Sequence, residues 1–157
     1  MPSVPTTAST ISQLNALVRG ELAAVETYGL AIGALKASPI PELDINCNCH
    51  ASRVRTLSDL VLELGGTPHA TSGFWGAITG AVTEGATVLG RHAILTVLAK
   101  GEEQGLKDYR AAAGVVDEQI RQLIEQDLIP SQLRAYDRVL RLSQSGPPSG
   151  TDLLGVS

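Results

Sequence analysis

The chain has 157 residues, enough for one domain with a true core. Hydrophobic residues make up 43% of it and aromatics only 3%, so the core must be built from Leu, Val, Ile and Ala, which suits packed helices better than a β-sandwich. A formal charge of −4 with no basic block argues against nucleic acid as a partner, and the longest uncharged stretch, Leu64 to Thr83, is too rich in Gly, Thr and Ser to cross a membrane.

The N-terminus, MPSVPTTAST, has no basic stretch leading into an apolar run, so no signal peptide is expected there. Residues 1–9 read as a flexible lead. A first helix is predicted from Thr10, which has capping-box spacing to Gln13. Its apolar stripe runs Leu14, Leu17, Glu21, Val25, Tyr28, Ile32, Leu35, and SPIP at 38–41 ends it. A second helix carries Leu43, Cys47, His50, Val54, Leu57, Val61 and Leu64, and stops at Gly65, Gly66 and Pro68. Residues 66–88 show no helical stripe. They read as a long crossover travelling the length of a bundle, pinned by Phe74 and Trp75. Leu95, Leu98, Glu102, Leu106, Tyr109 and Ala113 mark a third helix closed by Gly114. Asp117 caps a fourth, with the stripe Ile120, Ile124, Leu128, Gln132, Ala135, Val139 and Leu142, in which Pro130 should produce a kink. The expected fold is all-α: a bundle over 10–143, two antiparallel hairpins joined by the crossover, followed by a tail at 144–157.

The polar residues on these stripes carry the functional information. Glu21 precedes Tyr28 by two helical turns, and Glu102 precedes Tyr109 by the same spacing. The first and third helices thus bear one device twice, as related repeats would. A carboxylate on a core stripe must be paired, hydrogen-bonded or metal-bound. Two of them call for a cation between them, either iron or manganese or an arginine. The tyrosines can donate to the carboxylates.

Cys47 and Cys49 lie two apart on a helix and cannot face each other, so neither a mutual disulfide nor a secreted disulfide framework is expected. Cys47 reads as a small buried hydrophobe, with a soft-metal site on Cys47 and His50 as the minority alternative. His69, His92 and Glu103 receive no role.

Three stretches carry a family resemblance. LNALVRGELAAVETY (14–28), HASRVRTLSDLVLELGGTP (50–68) and GEEQGLKDYRAA (101–112) resemble the first three helices of bacterioferritin and its ferritin-like relatives. The likeness is greatest to bacterial ferritin-like proteins catalogued as a domain of unknown function. It implies a ferritin-like four-helix bundle. In that family the first and third helices each give a Glu to a dinuclear metal site, and the second and fourth each give Glu-x-x-His. Glu21 and Glu102 match the two single carboxylates. The second-helix pair falls on His50 and Arg53, and the fourth-helix pair on Gln132 and Ala135. Two carboxylates and both histidines of the recipe are therefore absent, and Arg53 brings a permanent positive charge.

The favoured expectation is a degenerate site without a cofactor, in a non-catalytic bundle that acts by self-association or protein docking. The Arg53 guanidinium would satisfy the glutamates, and Gln132 would be a polar partner. The first alternative is a single metal ion on Glu21, His50 and Glu102, with residual ferroxidase-type activity. The second rests on the tail, SGPPSGTDLLGVS, a Gly/Pro/Ser linker ending in Leu153, Leu154 and Val156. It loosely resembles the tags that dock cargo in encapsulin shells. The expected setting is the cytoplasm, or the interior of a protein shell if the tail is such a tag. A homo-oligomer is expected, with no membrane or nucleic-acid partner.

Overall fold

A computed structural model of the chain describes residues 5–73 and 90–145. The first helix, α1 (Thr7–Ala34), starts one turn earlier than the Thr10–Gln13 pair predicts. Thr6 is the N-cap: its hydroxyl accepts from the Ser9 amide at 3.2 Å, while Ser9 Oγ accepts from the Thr6 amide at 2.9 Å. Thr10 is therefore a buried residue of the helix, and 7–9 belong to the helix rather than to a flexible lead.

The second helix, α2 (Pro41–Glu63), opens with proline in its first turn, where no N–H is needed. Gly65, at φ +82°, turns the chain out of it. Gly66 then passes so close to α1 that a Cβ there would lie 2.7 Å from Ile11 Cγ2. The third helix is α3 (Gly90–Ala113).

The fourth, α4, is one helical run: Glu118–Leu123, a π-helical turn over Ile124–Leu128, then Ile129–Gln144. Asp117 caps it, its Oδ1 accepting from the Ile120 amide at 3.0 Å. The π turn has a reason in the sequence. From Ile120 to Gln132 the apolar stripe advances by three steps of four, which in a regular α-helix drifts about 120° around the axis. One extra residue per turn cancels most of that drift, so Ile120, Ile124, Leu128, Gln132, Ala135 and Val139 are all buried. The disturbance expected at Pro130 takes the form of this π turn, in which the Ile129 amide bonds to Ile124 O, five residues back. The helix continues through the proline.

Packing fixes the directions. Leu14 and Leu17 of α1 share a cluster with Leu57 and Val61 of α2, with Tyr109 and Ala112 of α3, and with Ile120 and Ile124 of α4. Tyr28 and Ala31 share the other with Leu43, with Ile94 and Leu95, and with Val139. So α1 and α4 run one way and α2 and α3 the other: two antiparallel hairpins, α1 on α2 and α3 on α4. After α2 the chain turns back along α1. Asn15 Nδ2 donates to Thr67 O at 3.0 Å, the His69 amide donates to Asn15 Oδ1 at 2.9 Å, and Ser72 Oγ donates to Glu26 at 2.8 Å. Of the crossover expected over 66–88, residues 66–73 are described. Phe74, Trp75 and the tail residues Leu153, Leu154 and Val156 lie outside the described residues. Among the described residues no helix is long and apolar enough to cross a membrane, and none is in a strand.

Candidate functional site

Between the two apolar clusters lies a buried polar layer. It brings together Glu21, Tyr28, Asn46, His50, Arg53, Glu102, Tyr109 and Gln132, each at most 5% exposed. All four helices contribute, because each carries polar residues at the same height of its core stripe.

The tyrosines cross over. Tyr28 donates to Glu102 Oε1, and Tyr109 donates to Glu21 Oε1 at 2.6 Å. On its own helix each tyrosine is two turns, about 11 Å, from the glutamate. Antiparallel packing of α1 against α3 puts each one opposite the other repeat's carboxylate instead. His50 bridges the two acids, with Nδ1 2.7 Å from Glu21 Oε2 and Nε2 3.0 Å from Glu102 Oε1. Arg53 Nε donates to Glu21 Oε1 at 2.9 Å, Nη1 to Ser131 Oγ at 2.8 Å and Nη2 to Gln132 Oε1 at 2.7 Å. Gln132 Nε2 donates to Glu102 Oε2 at 2.7 Å and to Glu102 O at 2.9 Å. Gly105 makes this approach possible: a Cβ there would lie 2.6 Å from Gln132 Nε2.

Asn46 belongs to this layer and is absent from the stripe read in the sequence. Its Nδ2 donates to Tyr28 Oη at 2.9 Å and to Ala135 O at 3.0 Å, and its Oδ1 accepts from Arg138 Nη1 at 2.7 Å. Cys47, assigned to that stripe, is only half-buried, with Sγ 3.8 Å from Val25 O; Cys49 is also half-buried, and both are free thiols. The expectation of Cys47 as a buried hydrophobe is thus met only in part.

Each carboxylate accepts from three side chains. Glu21 takes Tyr109, His50 and Arg53, and Glu102 takes Tyr28, His50 and Gln132. Among the described residues no buried side-chain polar atom lacks a partner. An acceptor so surrounded by donors is an anion.

Both ring nitrogens of His50 face a carboxylate oxygen, which favours a proton on each. Nδ1 also lies 2.8 Å from Arg53 Nη2. If Nδ1 carried no proton, its lone pair would face a Glu21 oxygen at 2.7 Å. With both nitrogens protonated, His50 donates to both acids, one Arg53 Nη2 N–H goes to Gln132 Oε1, and the other, which faces Nδ1, has to turn aside. The cluster is then neutral, with two carboxylates, one guanidinium and one imidazolium, the cheapest state for buried charge. Burial alone would lower the His50 pKa, but its bonds to Glu102 and Glu21 outweigh burial and raise it. Burial alone would raise the Glu21 pKa, but His50, Arg53 and Tyr109 outweigh it and lower it. Burial and the neighbouring acid push both tyrosines up, so they remain neutral donors.

A pH dependence of stability follows. The raised His50 pKa gives stabilisation that is complete below the unfolded value of 6.5 and is lost as pH rises towards the folded value. The lowered Glu21 pKa gives stabilisation that is complete above 4.5 and is lost as pH falls through the folded value. Urea midpoints should therefore peak between about pH 4.5 and 6.5 and decline on both sides. In His50→Gln the decline above pH 6.5 should disappear.

Among the described residues no group of three or more His, Cys, Asp and Glu side chains is arranged to hold a metal ion. Comparison of the chain with protein-family models, with curated proteins and with solved structures returns no match.

Proposed function

We propose that the chain is a ferritin-like four-helix bundle whose dinuclear metal site has become an internal charge lock. In this reading the bundle is non-catalytic and acts through self-association or protein docking. The observation that carries it is the seat of Arg53. Arg53 stands where the family resemblance implies a metal ligand, and its guanidinium bonds Glu21 and Gln132, at two further such positions, together with Ser131. The residues do not fit a pair of divalent ions. The two carboxylates of the layer, Glu21 and Glu102, are fully engaged by protein donors, and Arg53 with His50 balances them. An added divalent ion would have to displace both cations or bear their repulsion.

Metal analysis tests this on the full chain, purified without added metal and then exposed to ferrous iron and gel-filtered. Expected are no stoichiometric metal and no oxidation of ferrous iron above background. Retention of one ion per chain would favour the mononuclear alternative on Glu21, His50 and Glu102. Two ions per chain would overturn the proposal.

A further inference from the structure

The polar layer is not the only feature between α1 and α3. Among the described residues a cleft of about 330 Å³ opens there from the surface, with Glu21, His50 and Glu102 on its floor. Its walls follow the internal repeat. Gly20 and Gly101, Leu17 and Leu98, and Ala24 and Gly105 line it from the two helices, each pair at the same separation in sequence as Glu21 and Glu102.

The space exists because side chains are missing. At Gly20 and at Gly101 an added Cβ would meet nothing within 4 Å. Neither glycine has a positive φ, so neither serves a turn, and each weakens its helix relative to alanine. Nothing in the described chain uses the room they leave.

The polar groups on the cleft walls and floor are already engaged with one another. Thr27 Oγ1 donates to Ala23 O at 2.7 Å, and Gln104 Nε2 donates to Asp108 Oδ1 at 2.8 Å. The floor is the paired cluster described above. An occupant would therefore find mainly apolar walls, with the exposed Asp108 carboxylate among them, and a paired floor with no free donor.

We infer that this cleft is a binding site for a small, neutral, mainly apolar molecule. Its volume lies at the lower end of small-molecule sites, and its floor is preformed by buried, hydrogen-bonded side chains. A second copy of the chain fits less well. A stable protein contact needs on the order of 800 Å² from each partner. Among the described residues the exposed large apolar side chains are Ile45, Leu62, Val115 and Leu133, none of them on α1 or α3. A helix is also too thick, at about 10–12 Å across with its side chains, to enter a space of this volume. The inference requires only the cleft and its paired floor, and stands whether or not the bundle is ferritin-like.

The test uses the neutral fluorophore N-phenyl-1-naphthylamine as probe on the full chain. The expected result is saturable fluorescence enhancement with one site per chain. Gly20→Leu and Gly101→Leu, singly and together, place a side chain in the cleft from positions where the Cβ meets nothing within 4 Å, and exchange glycine for a better helix former. The double variant should bind the probe at least tenfold more weakly, with helical circular dichroism unchanged. Gly29→Leu, an equally open position of α1 outside the cleft, should bind as the unmodified chain does. Absence of saturable binding, or equal binding by the double variant, would overturn the inference. So would exclusion of the probe by a dimer that the leucines dissociate, because a second copy would then be the occupant. Should the double variant lose helicity, the two single variants decide by the same criterion.

Discussion

Arg53→Ala is expected to destabilise the folded chain by about 3–5 kcal/mol, the loss associated with stranding a buried charge. Arg53 is 3% exposed and bonds Glu21, Ser131 and Gln132. Its removal leaves Glu21 with a carboxylate oxygen short of a donor and the layer with one uncompensated negative charge. A domain stable by roughly 5–15 kcal/mol would lose much of its margin. Urea unfolding measures the loss. The control is Glu21→Gln in the Arg53→Ala background, which removes the stranded charge and should recover part of the stability. Additive losses in the double variant would show that Arg53 and Glu21 are not coupled.

The second large effect is a gain of metal binding. His50→Glu with Arg53→His, and Gln132→Glu with Ala135→His, would rebuild the Glu-x-x-His pairs that the family resemblance implies for the second and fourth helices. The layer would then hold four carboxylates and two histidines with no arginine, the donor set of a dinuclear site. The unmodified chain is expected to retain no Mn²⁺ after gel filtration, and the fourfold variant two ions per chain. Ala135 is fully buried and its carbonyl accepts from Asn46, so helicity must be followed alongside metal content. A folded variant that gains no metal would contradict the assignment of these four positions to a former metal site.

The two carboxylates were legible in the sequence because charge on an apolar stripe is conspicuous, and because the Glu-to-Tyr spacing recurs in α1 and α3. Which tyrosine serves which acid was not legible. Spacing places each pair on one face, whereas the crossed bonds depend on antiparallel packing across helices. Asn46 is hidden in the sequence because a stripe through Cys47 fits helical spacing as well, although Leu43, Asn46, His50, Arg53 and Leu57 form an unbroken run of three- and four-residue steps. Arg53 is legible only through the family resemblance, since an arginine at such a position ordinarily reads as a solvated edge. In α4 the four-residue steps were visible, but their remedy, a π turn ahead of Pro130, is a matter of backbone hydrogen bonding that side-chain patterning does not encode. α1 starts at Thr7 rather than Thr10 because Thr6 and Ser9 cap each other, a local competition that the three threonines and two serines of residues 6–12 leave open.

Balance of Glu21 and Glu102 by Arg53 and a doubly protonated His50 is the claim on which the rest depends. It is tested most directly by the ¹⁵N spectrum of the His50 ring in the full chain at pH 7, assigned by comparison with His50→Gln. The account predicts that both ring nitrogens carry a proton, at a pH where an ordinary histidine is mostly neutral. A single ring N–H at pH 7, with the other nitrogen unprotonated, would contradict it.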